Sequence, residues 1–287
     1  MRNRALSTAC VTALFALLLA PRSTAAGPPL QDRYLAVLER LADQLVSTQI
    51  TDPDDPDFGA LVSPSTNPQL NPRHSRAAEA VYPLAVMYKH SGDKRYLEST
   101  IQLGNWLLGI QQEDGAWGEN WPDHDGWTGT TADQLISLAG ALELIGPELG
   151  EDDRRAWSHG ITLAANYSLG RFGPGRSNIN YIPTAAVGLV LAHRAVESPR
   201  AEWLQKAAEL MGYLYTQVNE DDLIVGEGKG VDLGYNIAQT IGFMAWYGIL
   251  QNEPETVDRA ASLALSHLYF MYPNGAMDNS WGTRSFK

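Results

Sequence analysis

Residues 131–144 read TADQLISLAGALEL, and after Asp133 in the first turn this stretch carries a single charge, Glu143. Its apolar residues recur at helical spacing, and small residues fill most of the remaining positions. A helix that is apolar on nearly all sides is buried on nearly all sides. The stretch therefore predicts an interior helix, which other helices have to surround.

The same composition returns along the chain and alternates with a second kind of helix. Amphipathic segments with a charged face predict outer helices at residues 34–49, 96–112, 155–171, 201–218 and 255–272. Between them lie four Ala- and Gly-rich inner segments, residues 75–88, 131–144, 182–194 and 236–250. This alternation predicts at least nine helices in two layers.

The inner segments recur at a regular interval. Ala77, Ala132, Ala185 and Ala238 hold similar places in them, separated by 55, 53 and 53 residues. A repeat of this length, with one exposed and one buried helix in each unit, indicates helical hairpins. No segment alternates with a period of two, so no substantial sheet is expected. We therefore predict an all-α fold, an incomplete (α/α) toroid or barrel of helical hairpin repeats.

The N-terminus has the pattern of a secretory signal peptide. Arg2 and Arg4 precede the apolar run 11–20, and small residues follow at 24–26. We interpret residues 1–26 as this signal, which implies a secreted or periplasmic protein. The only cysteine, Cys10, lies inside it, so no disulfide is expected in the remainder.

The charge of the remainder is strongly acidic. Three of the 21 basic residues lie in the leader, so 18 basic residues face 33 acidic ones, a net charge of −15. Such a surface argues against nucleic acid or anionic membrane as a partner. An acidic substrate would need basic residues gathered at one place, and the sequence leaves the oligomeric state open.

The loops before the inner helices carry most of the unusual polar and aromatic residues. They span residues 65–74, 111–130, 170–181 and 225–235, and they are rich in Gly, Pro, Asn and Asp. In a toroid, these loops open onto one face of the ring. Because binding residues tend to sit on loops held by a rigid scaffold, this face is the expected functional site.

One of these loops resembles a known structural element. The stretch QQEDGAWG, residues 111–118, is similar to the Q-x-x-D/E-G-x-W element of α/α-barrel proteins, which include triterpene cyclases and several polysaccharide-degrading enzymes. In that element Gln111, Gly115 and Trp117 tie a helix end to the next turn, which is a structural role. The run DPDDPD at 52–57 is broken by proline, so we interpret it as a solvated turn rather than a cyclase acid motif.

The later loops resemble a family of enzymes. The stretches GRSNINYIPTAAVGL (175–189) and GKGVDLGYNIAQTIGFMAWYGIL (228–250) are similar to those of heparinase II/III-like and alginate-lyase-like polysaccharide lyases. The stretch YPNGAMDNSWGTRSFK (272–287) resembles the segment that joins their toroid to a β-sheet domain. This resemblance implies a catalytic toroid at 27–272 and a joining segment at 273–287, with the expectation that the chain is the N-terminal part of a larger protein.

A polysaccharide lyase acts by β-elimination on a uronic acid. The substrate carboxylate must be neutralised, a base must remove the C5 proton, and an acid must protonate the leaving O4. Asn178 and Asn180 are candidates for neutralising the carboxylate. Related lyases carry a histidine after the asparagines, whereas Tyr181 follows here, so the base stays open. Tyr235 is the first choice as catalytic tyrosine and Tyr181 the second. If side chains neutralise the carboxylate, no metal or other cofactor is required.

Further candidates come from the same loops and from the C-terminus. His74 is a third candidate base. Arg73, His124 and Arg284 are candidates for binding substrate. Trp121 and Trp127 exceed what the helix-end turn needs, so they either stack on sugar rings or pack over helix ends.

Two other functions stay open at this level. An α/α-barrel glycoside hydrolase acting on uronate-containing glycans would use two carboxylates as acid and base. The carboxylates near the loop mouths are Glu119, Asp123, Asp125, Asp133, Glu227 and Asp232. A non-catalytic glycan-binding protein is the other alternative. The residues leave open which uronate polymer is bound and whether cleavage is endo or exo.

Overall fold

The structure, a computed structural model, describes residues 29–62, 75–118, 127–227, 230–278 and 282. The chain divides into two compact units, residues 1–41 and 42–287. The predicted signal peptide lies outside the described residues. In the first unit, residues 30–41 are helical.

The described residues contain nine α-helices of 11 residues or more, as the sequence predicts. In chain order they are α1 (Leu30–Ser47), α2 (Val81–Ser91), α3 (Lys94–Gly109), α4 (Thr131–Ile145), α5 (Glu151–Arg171), α6 (Tyr181–Ala195), α7 (Ala201–Thr216), α8 (Ile241–Gln251) and α9 (Pro254–His267). Short 3₁₀ turns cover Ser75–Ala80, Thr128–Thr130, Gly146–Glu148 and Leu268–Phe270. None of the helices in the described ranges has the length and apolar character needed to cross a bilayer.

The even-numbered helices from α2 to α8 form the inner layer. Neighbouring inner helices pack in the order α2, α4, α6, α8, and each also packs against the outer helix that follows it. Nearly all of α4 and α6 is buried. The outer helices bury one stripe each; in α7 it consists of Trp203, Ala207, Leu210, Met211 and Leu214. The predicted all-α array of helical hairpins is confirmed.

Successive outer helices are joined by buried tryptophans. The indole N–H of Trp157 on α5 donates to Asn105 on α3 at 2.7 Å. That of Trp203 on α7 donates to Asn166 on α5 at 3.1 Å. Both indoles are fully buried, so each large apolar ring also satisfies its one donor. The repeat is therefore fixed by a polar contact as well as by apolar packing.

The element around Gln111 has the structural role that the sequence indicates. The Gln111 amide donates to the carbonyls of Gly115 and of Gly160 on α5, each at 3.0 Å. The Trp117 indole is fully buried and donates to the Leu107 carbonyl at 2.8 Å. These bonds tie the end of α3 both to the turn and to the next outer helix.

The turn after α1 is held by the same kind of contact, a glutamine amide that donates to two backbone carbonyls. The sequence did not predict this second case. The Gln49 amide donates to the carbonyls of Gly59 and Ser99, at 2.9 and 3.1 Å. Asp57 is only 5% exposed and accepts the Trp106 indole N–H at 3.1 Å. The interpretation of residues 52–57 as a solvated turn is therefore wrong at Asp57.

Two details differ from the sequence expectation. Helix α8 is less buried than α4 and α6, and Ile249 on it is 67% exposed. Within the described residues, α8 has only one neighbour in the inner layer, α6, whereas α4 and α6 each have two. Residues 225–235 contain a small hairpin, β1 (Val225–Glu227) and β2 (Gly230–Val231), paired antiparallel. Two strands this short leave no period-two pattern to detect.

Gly115 is the position where the turn depends most on glycine. Its φ is +91°, and an added Cβ would lie 2.4 Å from the Leu163 backbone. We expect Gly115→Ala to lower the free energy of unfolding by about 2 kcal/mol or more, from backbone strain and the clash. Thermal and urea unfolding measure this loss. The matched control is Gly212→Ala, inside α7 with no atom near the new methyl, which should gain up to about 1 kcal/mol. Equal stability of the two variants would contradict this account of the turn.

Candidate functional site

Three of the four loops that precede the inner helices meet, as predicted, and the loop 65–74 lies outside the described residues. The ring of Trp127, before α4, makes a T-shaped contact with that of Tyr181, at the start of α6, with centroids 4.5 Å apart. The Asn178 amide, before α6, donates to Glu227 in β1 at 3.0 Å. Residues of three separate loops therefore share one site. The other candidates, Arg73, His74, Trp121, His124 and Arg284, lie outside the described residues.

A chain of hydrogen bonds holds Asn180, and only one assignment of donors and acceptors along it is consistent. The Thr184 hydroxyl donates to the Asn180 carbonyl at 2.9 Å, so it must accept from the Gln239 amide, 3.1 Å away. Gln239 therefore turns its oxygen toward Asn180 and accepts an N–H from it at 2.9 Å. Sequence reasoning missed Gln239, because only the packing of α6 on the turn before α8 brings it to Asn180.

The fixed amide of Asn180 keeps some hydrogen-bonding capacity. Its side chain is 1% exposed, and Oδ1 accepts no hydrogen bond from the described residues. One N–H of the Asn180 side-chain amide donates to Gln239. The hydrogen bonds that hold this side chain do not use the second N–H. Asn178, by contrast, is exposed. Of the two asparagines, Asn180 is the rigid one and Asn178 the accessible one.

Tyr235 lies at the entrance of the last inner helix. Its backbone N–H donates to the Asp232 side chain at 2.9 Å, so Asp232 caps the helical turn Leu233–Tyr235. A π-helical turn, Asn236–Thr240, follows before α8, and such turns are frequent at functional sites. The Tyr235 side chain is half-buried. It combines a fixed backbone with an accessible ring, which suits a residue that contacts substrate.

The turn beneath Tyr235 is anchored by a buried polar pair. The fully buried Asn236 amide contacts the Ile224 carbonyl at 3.0 Å and His267 Nε2 at 3.1 Å. Burial lowers the pKa of His267, and a hydrogen bond with the Leu263 carbonyl acts in the opposite direction. Asn236 therefore links Ile224, the residue before β1, to His267 at the end of α9.

A charged cluster forms where the N-terminal turns of the first three inner segments converge. Burial raises the pKa of Asp133, at the start of α4, to about 7, and the charge of Glu79 adds to the rise. Arg76 and a hydrogen bond from Tyr181 act in the opposite direction. Burial and the charge of Asp133 raise the pKa of Tyr181 well above its usual range, so its hydroxyl stays protonated. Burial also raises the pKa of Glu79, against Arg76.

Arg76 is a basic residue of this cluster that sequence reasoning missed. Its guanidinium pairs with Glu79 at 3.0 Å, and its side chain is 44% exposed. A partly exposed arginine beside an acidic cluster can bind a second carboxylate without losing the first. The only signal in the sequence was its place one turn before the inner helix, beside Arg73 and His74.

The ring of the aromatic candidate Trp127 packs against Gly129. An added Cβ on Gly129 would lie 2.1 Å from the Trp127 ring, so glycine leaves the space that this ring occupies. The next residue, Thr128, accepts the Tyr167 hydroxyl at 2.8 Å. Trp127 is half-buried, in contact with Tyr181 and with part of its surface open to solvent.

Two of the carboxylates that a glycoside hydrolase would need as acid and base are engaged in contacts within the protein. Asp232 caps a helical turn, and Glu227 is 1% exposed and bound by Asn178. Glu119, Asp123 and Asp125 lie outside the described residues. Among the described residues, no group of three or more His, Cys, Asp or Glu side chains is placed to hold a metal ion.

The raised pKa of Asp133 has a consequence for stability. Its ordinary pKa is 3.8 and the folded value is about 7, so between these pH values the folded state binds more protons and its stability falls as pH rises. Asp133→Asn cannot ionise. Relative to wild type, the variant should therefore gain up to a few kcal/mol in unfolding free energy from pH 4 to pH 7.5. Urea unfolding across this range measures the difference, and a gap that narrows as pH rises would contradict the assignment.

Comparison with known proteins agrees with this architecture. The chain is 31% identical over 266 residues to a broad-specificity ulvan lyase of Formosa agariphila, covering 88% of this chain and 41% of that protein. It therefore spans about two fifths of the length of this curated relative. The cellobiose 2-epimerase of Spirochaeta thermophila shares the fold with a TM-score of 0.55 at 13% identity, over 88% of this chain and 77% of the epimerase. The profile of the ulvan lyase N-terminal domain family matches residues 38–287, and the chain belongs to this family.

Proposed function

We propose that this chain is the helical part of a secreted or periplasmic polysaccharide lyase, which cleaves a uronate-containing polysaccharide by β-elimination. The observation that carries the proposal is the convergence of Asn180, Tyr235 and Arg76 with Trp127 at one end of the inner helices of a chain from this family. The leader sequence supports export. Since the named relative acts on ulvan, ulvan is the first polymer to test.

The reaction breaks the C5–H and C4–O4 bonds of a uronate and forms a C4–C5 double bond. Developing negative charge next to the carboxylate must be stabilised by groups already in place. Arg76 supplies a positive charge at the cluster, and the exposed Asn178 or the amide of Asn180 supplies a donor. Because Asn180 is fixed by Gln239 and Thr184, its amide needs no reorganisation during the reaction.

Tyr235 is the residue we assign to proton transfer. Its ring is half-buried, whereas Tyr181 is only 3% exposed and is directed toward Asp133. Tyr235 can therefore contact the sugar while Tyr181 supports the site from behind. In this mechanism Tyr235, as its phenolate, takes the C5 proton and passes it to the leaving O4, which ends as a hydroxyl, so the two proton transfers balance.

Arrays of helical hairpins also carry hydrolases, so the assay must distinguish elimination from hydrolysis. Elimination creates a double bond that absorbs near 235 nm, whereas hydrolysis releases reducing ends without this absorbance. We expect absorbance at 235 nm from at least one polymer in a panel of ulvan, alginate, glucuronan and glycosaminoglycans. Reducing ends without absorbance would identify a hydrolase, and tight binding without either product would identify a glycan-binding protein.

Tyr235→Phe tests the assignment of the tyrosine. The substitution removes only a hydroxyl, so the variant should fold and bind polymer like wild type. Loss of proton transfer should lower kcat by about 10²- to 10⁴-fold, measured at 235 nm. The matched control is Tyr269→Phe, at a tyrosine that is 91% exposed, which should keep wild-type kcat. If Tyr235→Phe keeps more than about a tenth of wild-type kcat, the assignment is wrong.

Trp127→Ala tests stacking on the substrate. Stacking is made in the ground state and in the transition state alike, so its loss should raise KM more than it lowers kcat. We expect an increase of about tenfold in KM, with partial rescue in Trp127→Phe. If Trp127→Ala lowers the melting temperature while KM stays at the wild-type value, the ring only packs over the helix ends.

A further inference from the structure

The buried pair Asn236 and His267 adjoins the residue assigned to proton transfer. Asn236 follows Tyr235 in the chain and begins the π-helical turn Asn236–Thr240 that precedes α8. His267 is the last residue of α9. Both side chains are fully buried, so neither can contact a polysaccharide. Any effect of this pair on the reaction must therefore pass through the turn that carries Tyr235.

Only one assignment of donors and acceptors fits the contacts of this pair. The Leu263 carbonyl can only accept, so His267 Nδ1, 2.8 Å away, carries a hydrogen and donates it. The Ile224 carbonyl likewise accepts an N–H from Asn236 Nδ2 at 3.0 Å. The second N–H of the same nitrogen donates to His267 Nε2 at 3.1 Å. Nε2 is therefore the acceptor, and the contacts require a neutral histidine.

A proton on Nε2 is incompatible with this arrangement. It would place two donors against each other, because the new N–H of His267 would face the N–H of Asn236. Rotating the amide does not relieve the conflict. Asn236 Oδ1, which accepts no hydrogen bond from the described residues, would then accept from His267 but would face the Ile224 carbonyl. In either orientation, one buried contact of Asn236 is lost when His267 is protonated.

The surroundings of His267 disfavour its protonated form. The ionisable side chains on the elements around this end of α9 are Glu227 from β1, Asp232 and Tyr235 from the turn before α8, Tyr247 from α8, and Tyr269 from the turn after α9. On α9 itself, the nearest charged residue along the chain is Arg259, which pairs with Asp222. Burial lowers the pKa of His267 below its usual 6.5, the bond to the Leu263 carbonyl opposes this, and no charged group among the described residues contributes. His267 is therefore neutral at neutral pH and takes up a proton in acidic solution.

We propose that His267 is a positioning residue, whose neutral Nε2 holds Asn236 and with it the turn that carries Tyr235, so that protonation of His267 releases this turn and slows the reaction. This inference rests on the proposed role of Tyr235. A side chain that takes a proton from the sugar must be held close to it, and a displacement of about 1 Å can cost a large part of the rate. His267 acts through Asn236 and the backbone and does not touch the substrate.

The first test compares wild type with His267→Gln from about pH 8.5 to about pH 5, the range in which histidine changes its charge. The glutamine Oε1 can accept the N–H of Asn236 and takes up no proton, so the turn should stay in place. The ratio of the variant kcat to the wild-type kcat, measured at 235 nm, should be close to one at the alkaline end and rise about tenfold at the acidic end. Titration of Tyr235 is common to both proteins and cancels in this ratio.

A second variant removes the acceptor altogether. His267→Phe keeps an aromatic ring but offers no nitrogen to Asn236, so kcat should fall about tenfold or more at every pH, with KM changed less. The matched control is His90→Gln, at an exposed histidine near the end of α2, whose kcat ratio to wild type should not change with pH. A melting temperature for each variant separates loss of rate from loss of folding. If His267→Phe does not fold, the comparison of wild type with His267→Gln still decides the question.

Hydrogen exchange measures the turn without any substrate. The protection of the backbone amides of residues 233–240, corrected for the intrinsic exchange rate at each pH, should fall about tenfold in wild type on acidification and stay constant in His267→Gln. Because a lowered histidine pKa also makes the whole fold less stable as pH falls, helix α7 (Ala201–Thr216) serves as the internal reference. Its protection should change less than that of the turn.

The two measurements separate this inference from the proposed function. If the protection of the turn falls as expected but no polymer of the panel gives absorbance at 235 nm, the proposed function fails and the hold of His267 on the turn stands. A kcat ratio or a protection of the turn that does not change with pH overturns the inference. So does His267→Phe if it lowers only the melting temperature and keeps wild-type kcat.

Discussion

Helices α4 and α6 have almost no face in contact with water, and the rest of the structure depends on this constraint. A helix can be buried all round only if other helices cover every side, so the two inner helices require both inner neighbours and an outer layer. Their interiors therefore carry mostly apolar residues, and charged groups are confined to their ends. Each end is also where a connecting loop arrives.

Chemistry can concentrate at such ends because the scaffold beneath them is rigid. The inner helices bring Asp133, Tyr181 and Tyr235 together from three parts of the chain. The amide of Asn180 is fixed through Gln239 and Thr184. A site built in this way has donors with set directions before any ligand arrives, and this preorganisation stabilises developing charge.

The same burial makes the acidic residues of the site sensitive to pH. In water, Asp133 would be ionised at every physiological pH, whereas between the inner helices it titrates near neutrality. Arg76 and Glu79 then act as opposing controls on its charge.

The sequence by itself determined the helices, their order and their layer, because hydrophobic periodicity and charge are local properties of each segment. It also determined the role of Gln111, Gly115 and Trp117, whose bonds join residues close in the chain as well as one neighbouring helix. Only the tertiary structure decided that Asn180 pairs with Gln239, that Asp57 is buried, and that Asp133 faces Tyr181 and Arg76. These contacts join residues that are 48 to 59 positions apart. Their energies depend on burial in the folded chain, which a local sequence pattern does not record.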